Sequence, residues 1–243
     1  MRDKTAAMIV IGNEILSGKV ADSNAVFLAR ELRGLGVSLE RILVIPDDLD
    51  AIADAVREYQ PKYDVVFTSG GVGPTHDDIT ISGIARGLGR RVVLHPEIES
   101  TIRRLVGDSI NAAHLKMAEV PEGANVLFQL DQKFPIVQVD NIFILPGIPE
   151  IFREKLQALR SRLAVDPYFL RIVFLNAHES SIACFLDETL AAFPQLQLGS
   201  YPKLGDSEYR VRITLESKDE EYVNQALEHL VSKLPQGMIV RTE

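Results

Sequence analysis

The 243-residue sequence contains a single cysteine, Cys184. No disulfide can form within the chain, and a reducing compartment, the cytoplasm, is expected. No apolar run approaches the ~20 residues of a membrane span. The amino-terminal stretch MRDKTAAMIVIG has too short an apolar run, and no small-residue cleavage pattern, for a signal peptide. Positive charge is in deficit: 26 Lys and Arg face 34 Asp and Glu, a formal charge of −8 with a pI near 5.2. That excludes sequence-independent binding to nucleic acid or to an anionic membrane, which needs a basic footprint. The GK[ST] ending of a phosphate-binding P-loop, the dinucleotide pattern GxGxxG, and the CxxC, HExxH and GxSxG patterns are all missing. The five histidines, at 76, 95, 114, 178 and 229, are scattered, so no structural zinc site is expected. What remains is an ordinary globular composition, 46% apolar and 25% charged, sufficient for a sizeable core without staples.

Hydrophobic periodicity predicts strands at 5–11, 38–46 and 64–69, and helices at 23–36, 49–59 and 79–89. Ser23 or Asn24 would cap the first helix. This β-α-β-α-β-α order predicts a mostly parallel sheet covered on both faces. Residues 90–134 alternate less clearly, with a helix at 96–106 and a helical piece followed by loop at 111–127. Residues 134–147 read as two strands around a tight turn at Asp140–Asn141, and 149–163 as a helix with Pro149 at its first turn. Beyond a boundary near 164–167 the order becomes β-α-β-β-α-β, with strands at 168–176, 196–202, 208–217 and 237–242 and helices at 179–193 and 219–234. The middle pair of strands turns around Gly205–Asp206. That is the split, ferredoxin-like plan. Two domains are expected, 1–165 and 166–243.

The stretch TSGGVGPTHDDIT, residues 68–80, follows a predicted parallel strand, where ligands of open sheets sit. Gly70, Gly71 and Gly73 can bring bare backbone to a ligand, and the start of the next helix favours an anion. Ser69, Pro74 and Thr75 belong to the same loop. The two acids, Asp77 and Asp78, oppose that reading unless one of them caps the helix while the other holds a hard cation shared with the ligand's phosphates. The residues equally suit a plain turn with a capping aspartate. Glu14, after the first strand, reads either as a solvated acid or as a site residue. Asn24 reads as a cap or a ligand contact, and His76 as a phosphate donor or a bystander at the rim. Cys184, in an apolar helical stretch with Ile182, Phe185 and Leu186, is expected to fill core rather than to react. Ser180 and Ser181 are expected at a helix start.

Three segments together, GNEILSGKVADSNAVFLARELRGLGV (12–37), TSGGVGPTHDDIT (68–80) and LPGIPE (145–150), resemble the molybdopterin-binding, MoaB/Mog-like family. Within it they are most similar to the amino-terminal part of CinA proteins and to the molybdopterin-binding-like domain of FAD synthases. GSYPKLGDSEYRVRITLES (199–217) is similar to the second domain of those proteins. The resemblance implies a three-layer α/β/α fold with a smaller ferredoxin-like α+β domain. It implies a loop holding a phosphorylated pterin or nucleotide, with Asp78 as the acid that closes the GGxGPxxxD pattern. It assigns Asp78 and Asp77 to catalysis, and Asp78, Asp77 and Glu14 to a divalent metal, Mg, Mn or Co. Ligand contacts are implied for Gly12, Asn24, the loop from Ser69 to Thr75, Pro146, Gly147 and Pro149. From the second domain Tyr201, Lys203 and Arg210 would add a cationic wall. In the CinA and FAD-synthase branches the implied chemistry is metal-dependent cleavage of ADP-ribose or FAD. A binding module without chemistry, or adenylyl transfer in molybdenum-cofactor assembly, are the alternatives. Val72 departs from the threonine usual in the molybdenum-cofactor enzymes, and GPTHDD sides with the other two branches. Neither the amidohydrolase domain of CinA nor the adenylyl-transferring domain of FAD synthases is matched, so those activities are not expected. Self-association is expected, since the family associates and the second domain has apolar faces to offer.

Overall fold

The computed structural model describes residues 3–128, 134–203, 205 and 208–243. The chain divides into two compact units, Met1–Val165 and Asp166–Glu243.

In the first unit, β1 (Thr5–Ile11), α1 (Asn13–Leu16), α2 (Asn24–Gly34), β2 (Ser38–Ile45), α3 (Leu49–Tyr59), β3 (Val65–Ser69) and α4 (Thr80–Gly87) follow in order. Then come β4 (Val92–Leu94), α5 (Pro96–Val106), α6 (Ala112–Lys116), β5 (Glu119–Pro121), β6 (Asn125–Leu127), β7 (Ile136–Val139), β8 (Ile142–Leu145) and α7 (Pro149–Leu163). Six strands form one sheet in the order β2-β1-β3-β8-β7-β6. The first four run parallel, while β7 lies antiparallel to both β8 and β6. The reversal is local in origin, because Asp140, at φ 50°, closes the tight turn that joins β7 to β8. Strands β4 and β5 pair separately and, with α5, bury a small cluster around Ile98, Ile102 and Val120.

Strand β1 shows why the layers form. Ala6, Met8 and Val10 enter a core built with α2 and α7. Ala7, Ile9 and Ile11 enter another, built with α3 and α4. A strand that is apolar at every position from Ala6 to Ile11 must be covered on both sides. Side chains such as Phe67 and Phe152, fully buried, each stabilise the fold by roughly 1.5–3 kcal/mol through burial.

In the second unit, β9 (Phe169–Leu175), α8 (Glu179–Ala192), β10 (Gln197–Pro202), β11 (Val211–Ser217), α9 (Glu220–Lys233) and β12 (Ile239–Thr242) give an antiparallel sheet ordered β10-β11-β9-β12. The turn expected at Gly205–Asp206 falls partly outside the described residues. Cys184 is a correction: it is exposed. On α8 the buried positions are Ile182, Leu186 and Thr189, and at 3.6 residues per turn position 184 falls on the other side of that stripe. Among the described residues, no helix is long and apolar enough to cross a membrane.

Candidate functional site

Because β1, β3 and β8 are parallel neighbours, their carboxyl ends deliver three loops to one edge of the sheet. Those loops are tied to each other. The Gly70 N–H donates to the Leu145 carbonyl at 3.2 Å. Thr80, buried at the start of α4, donates its hydroxyl to the Gly70 carbonyl at 2.9 Å and its N–H to that of Gly71 at 3.0 Å. Gly70 and Gly71 sit at φ 104° and 63°, in the positive-φ range that favours glycine.

Asn24 is the other clamp. Its amide donates to Ser69 Oγ at 3.0 Å and to the Gly147 carbonyl at 2.8 Å. Asn24 and Ser69 are 3% and 2% exposed, so neither is placed to meet a ligand, and the expected ligand role of both is corrected to a positioning one. Nor does either capping candidate use its side chain. Ser23 makes no capping bond, and Asp22 accepts from the N–H groups of Asn24 and Ala25 at 3.0 and 3.1 Å instead. Gly12 is likewise buried. Asn24→Ala should cost about 1–3 kcal/mol, the penalty for stranding buried hydrogen-bonding groups. Urea unfolding should read this as a lower midpoint at unchanged slope.

The expectation that an aspartate caps α4 fails as well. Ile79 holds the cap position with no side-chain bond. The Asp78 carboxylate turns back into the loop and accepts from the Thr75 N–H at 2.8 Å and its hydroxyl at 2.5 Å. A turn from Thr75 to Asp78, closed by the Asp78 N–H on the Thr75 carbonyl at 3.3 Å, ends before the helix begins and keeps both acids off its axis. Asp77 lies next to the same hydroxyl, which, with a main-chain donor, holds its carboxyl below the ordinary range. One hydroxyl proton cannot serve both acids, and the short contact belongs to Asp78. His76 projects from the loop with its side chain 98% exposed, as a rim residue.

A cavity of about 300 Å³ opens beside this loop. Of the expected site residues, Gly71, Gly73, Pro74, Asp78 and Pro146 line it. Thr75 and Asp77 stand outside on the exposed loop. Gly147 and Pro149 do not line it: the first anchors Asn24, and the second opens α7. Glu14 is exposed on α1 with its carboxylate folded back over Gly12. The metal trio of Asp77, Asp78 and Glu14 is therefore not assembled. Among the described residues, no three His, Cys, Asp or Glu side chains converge to hold an ion.

Sequence reading missed four residues at this edge. Lys116, from α6, lines the cavity and donates to the Thr75 carbonyl. Glu119, on β5, lines it as well. Asp47 accepts from the Asn13 N–H at 2.8 Å. Its signal was available, since it lies two residues past the end of β2, but a Pro-Asp-Asp run reads as an ordinary turn. Lys155, inside α7, is only 6% exposed and donates to the Phe134 and Pro135 carbonyls at 2.8 and 2.9 Å. Burial pulls its ammonium down from 10.5 to about 8, against a weak opposing effect of Glu154. The unfolded lysine keeps its proton up to 10.5, so between about 8 and 10.5 the unfolded chain binds more protons and stability rises with pH. Tyr59, whose hydroxyl burial pushes above 10.0, opposes this at the top of the window. Chemical denaturation from pH 8 to 10 should show the parent gaining on Lys155→Met, and parallel profiles would contradict the assignment.

In the second unit, Lys203 and Arg210 line a hollow of about 360 Å³ with His178 and Glu179. Arg210 Nη1 lies 2.9 Å from His178 Nε2, and Lys203 Nζ 4.9 Å from the centre of the Tyr209 ring. Tyr201, 48% exposed, packs under Arg212 and is not part of that hollow.

Residues 7–164 match the family described as the probable molybdopterin binding domain. The chain belongs to that family. Residues 167–243 match the middle domain of FAD synthase. A protein of Archaeoglobus fulgidus is 32% identical over 220 residues, covering 90% of this chain and 93% of that one. A probable FAD synthase of Caenorhabditis elegans is 30% identical over 246 residues, covering 90% of this chain but 47% of the synthase. Against such synthases this family member therefore spans about half their length. Among solved structures, the protein CinA from Thermoplasma acidophilum gives a TM-score of 0.61 at 32% identity, over 66% of this chain and 98% of that one. These matches agree with the three motifs that carried the resemblance, and with a MoaB/Mog-like fold joined to a smaller sheet domain.

Proposed function

We propose that the chain binds a nucleotide pyrophosphate, FAD, ADP-ribose or a related dinucleotide, on the loop after β3 and hydrolyses it with a divalent cation, Mg, Mn or Co. One observation carries this reading. The Asp78 carboxylate lines the same cavity as Gly71 and Gly73 and is fixed there by Thr75, rather than being spent on capping α4. The donor set fits a hard cation in one form only. Asp78 would offer carboxylate oxygens from the cavity wall, with Asp77 beside it only on the exposed loop, too few for a protein-only cage, and magnesium-type ions are held by one or two carboxylates together with phosphate oxygens and water. When bound, such an ion neutralises charge on the phosphoryl oxygens and acidifies a water. The chain's own residues do the rest. The main chain at Gly71 and Gly73 approaches the pyrophosphate, Thr75 holds the Asp78 rotamer, and Lys116 places a positive charge at the rim. Water adds to one phosphorus, the bridging P–O bond breaks, and two monophosphates leave.

The test incubates the protein with FAD, ADP-ribose and NAD⁺ in turn, with each cation, and measures mononucleotide release. Release that depends on the cation supports the proposal. A second reading, binding without chemistry, is favoured by the lack of a three-ligand cluster among the described residues, and tight binding with no products would select it.

A further inference from the structure

Thr75 holds an acid with two of its groups and a base with a third. Its N–H and hydroxyl donate to the Asp78 carboxylate, and its carbonyl accepts from the Lys116 ammonium. Both charged side chains line the same cavity. We infer that different charges hold the two ends of a bound pyrophosphate: one phosphoryl group meets the cation on Asp78, and the other meets Lys116 directly, with no metal between them. The inference rests on the reading of the glycine loop as the pyrophosphate site.

The loop does not need the lysine as a brace. Thr75 is exposed, so water can serve its carbonyl, which already accepts from the Asp78 N–H at 3.3 Å. An ammonium has three donors. Among the described residues only the Thr75 carbonyl accepts from Lys116, and no carboxylate pairs with it, although the residue is half-buried. Asp78 does not quench this charge, because its carboxylate is taken up by the other groups of Thr75. The second cation on the cavity, Lys155, is committed to the Phe134 and Pro135 carbonyls. Lys116 is thus the lining cation tied to the loop and still able to donate. Its compact charge on a flexible stem can reach a phosphoryl oxygen while keeping Thr75. Charge balance points the same way. A pyrophosphate diester is doubly charged. A divalent ion shared with Asp78, the one lining carboxylate of the loop, leaves a negative charge over, and Lys116 cancels it.

The test titrates inorganic pyrophosphate calorimetrically into the parent, Lys116→Met, Lys116→Arg and Asp78→Asn, first in EDTA and then in Mg²⁺. In EDTA the parent should bind, and Lys116→Met should bind on the order of 10- to 100-fold more weakly, the scale of a hydrogen bond to a charged group. Lys116→Arg should keep most of the affinity. Asp78→Asn should bind at least as tightly as the parent there, since a like charge has gone. With Mg²⁺ the variants part. Lys116→Met should show the same gain in affinity on adding the ion as the parent, and Asp78→Asn should lose that gain. A loop merely unbraced by loss of the lysine would lose the gain too, so its retention separates a phosphate contact from a structural role. The inference is overturned if the parent binds only with Mg²⁺, if Lys116→Met binds like the parent in EDTA or loses the Mg²⁺ gain, if Lys116→Arg is as weak as Lys116→Met, or if Asp78→Asn keeps the gain. Failure of the loop reading looks different: the parent then binds no pyrophosphate under either condition.

Discussion

Asp78→Asn should lower cleavage of the best dinucleotide by on the order of 10²–10³-fold, the loss seen when one preorganised group that stabilises transition-state charge is removed. The substitution is nearly isosteric, and an amide oxygen still accepts from the Thr75 N–H and hydroxyl that now hold the carboxylate. The loop should keep its shape and the unfolding midpoint should stay close to the parent's. What disappears is the negative charge that would face a cation and the phosphate it accompanies. Asp77→Asn should have the smaller effect, because Asp77 stands outside the cavity while Asp78 lines it. Steady-state assays of both variants, run beside circular dichroism, separate a chemical defect from a folding one. Equal rates for Asp78→Asn and the parent would remove Asp78 from the reaction.

Gly70→Ala should destabilise the first unit by about 3–5 kcal/mol, the sum of strain in a sparsely allowed backbone region and overpacking of a rigid core. The residue sits at φ 104°, and a Cβ would lie 2.1 Å from the Ile11 carbonyl oxygen. That oxygen cannot retreat, because β1 is paired on both sides, with β2 and β3. A loss of this size is a large share of the 5–15 kcal/mol typical of a folded domain, so the purified variant should unfold at much lower urea or remain insoluble. Gly34→Ala is the control. It lies at the end of α2 with open space around a new Cβ, and should be neutral or slightly stabilising. If Gly70→Ala unfolds within about 1 kcal/mol of the parent, a small core adjustment by ordinary standards, the loop is far softer than its contacts imply.

Much of the fold was legible because its signals are local. The strand Thr5–Ile11 is buried on both faces, as its apolar run Ala6–Ile11 predicts. Helix α7 starts at Pro149 and stops at Leu163, where proline and periodicity place it. Cys184 shows a signal that was present and misread: Ile182, Leu186 and Thr189 trace the buried stripe, and 184 lies off it. The capping role given to Asp77 or Asp78 failed for another reason. Local pattern cannot tell whether a carboxylate meets the helix N–H groups or closer donors in its own turn, and here Thr75 is closer.

The sequence by itself determined the alternation of strands and helices, the change of plan near residue 165 and the glycine loop at a strand's carboxyl end. Each follows from hydrophobic period, turn chemistry and backbone freedom over a few residues. Only the tertiary structure decided that Asp78 faces the cavity while Asn24 and Ser69 lie beneath it, and that Lys116 and Lys155 reach it from distant helices. The weakly patterned stretch around α5, α6 and β5 supplies part of its wall. Such placements depend on which helix packs where and what it cuts off from water, and those are properties of contacts between residues far apart in the chain.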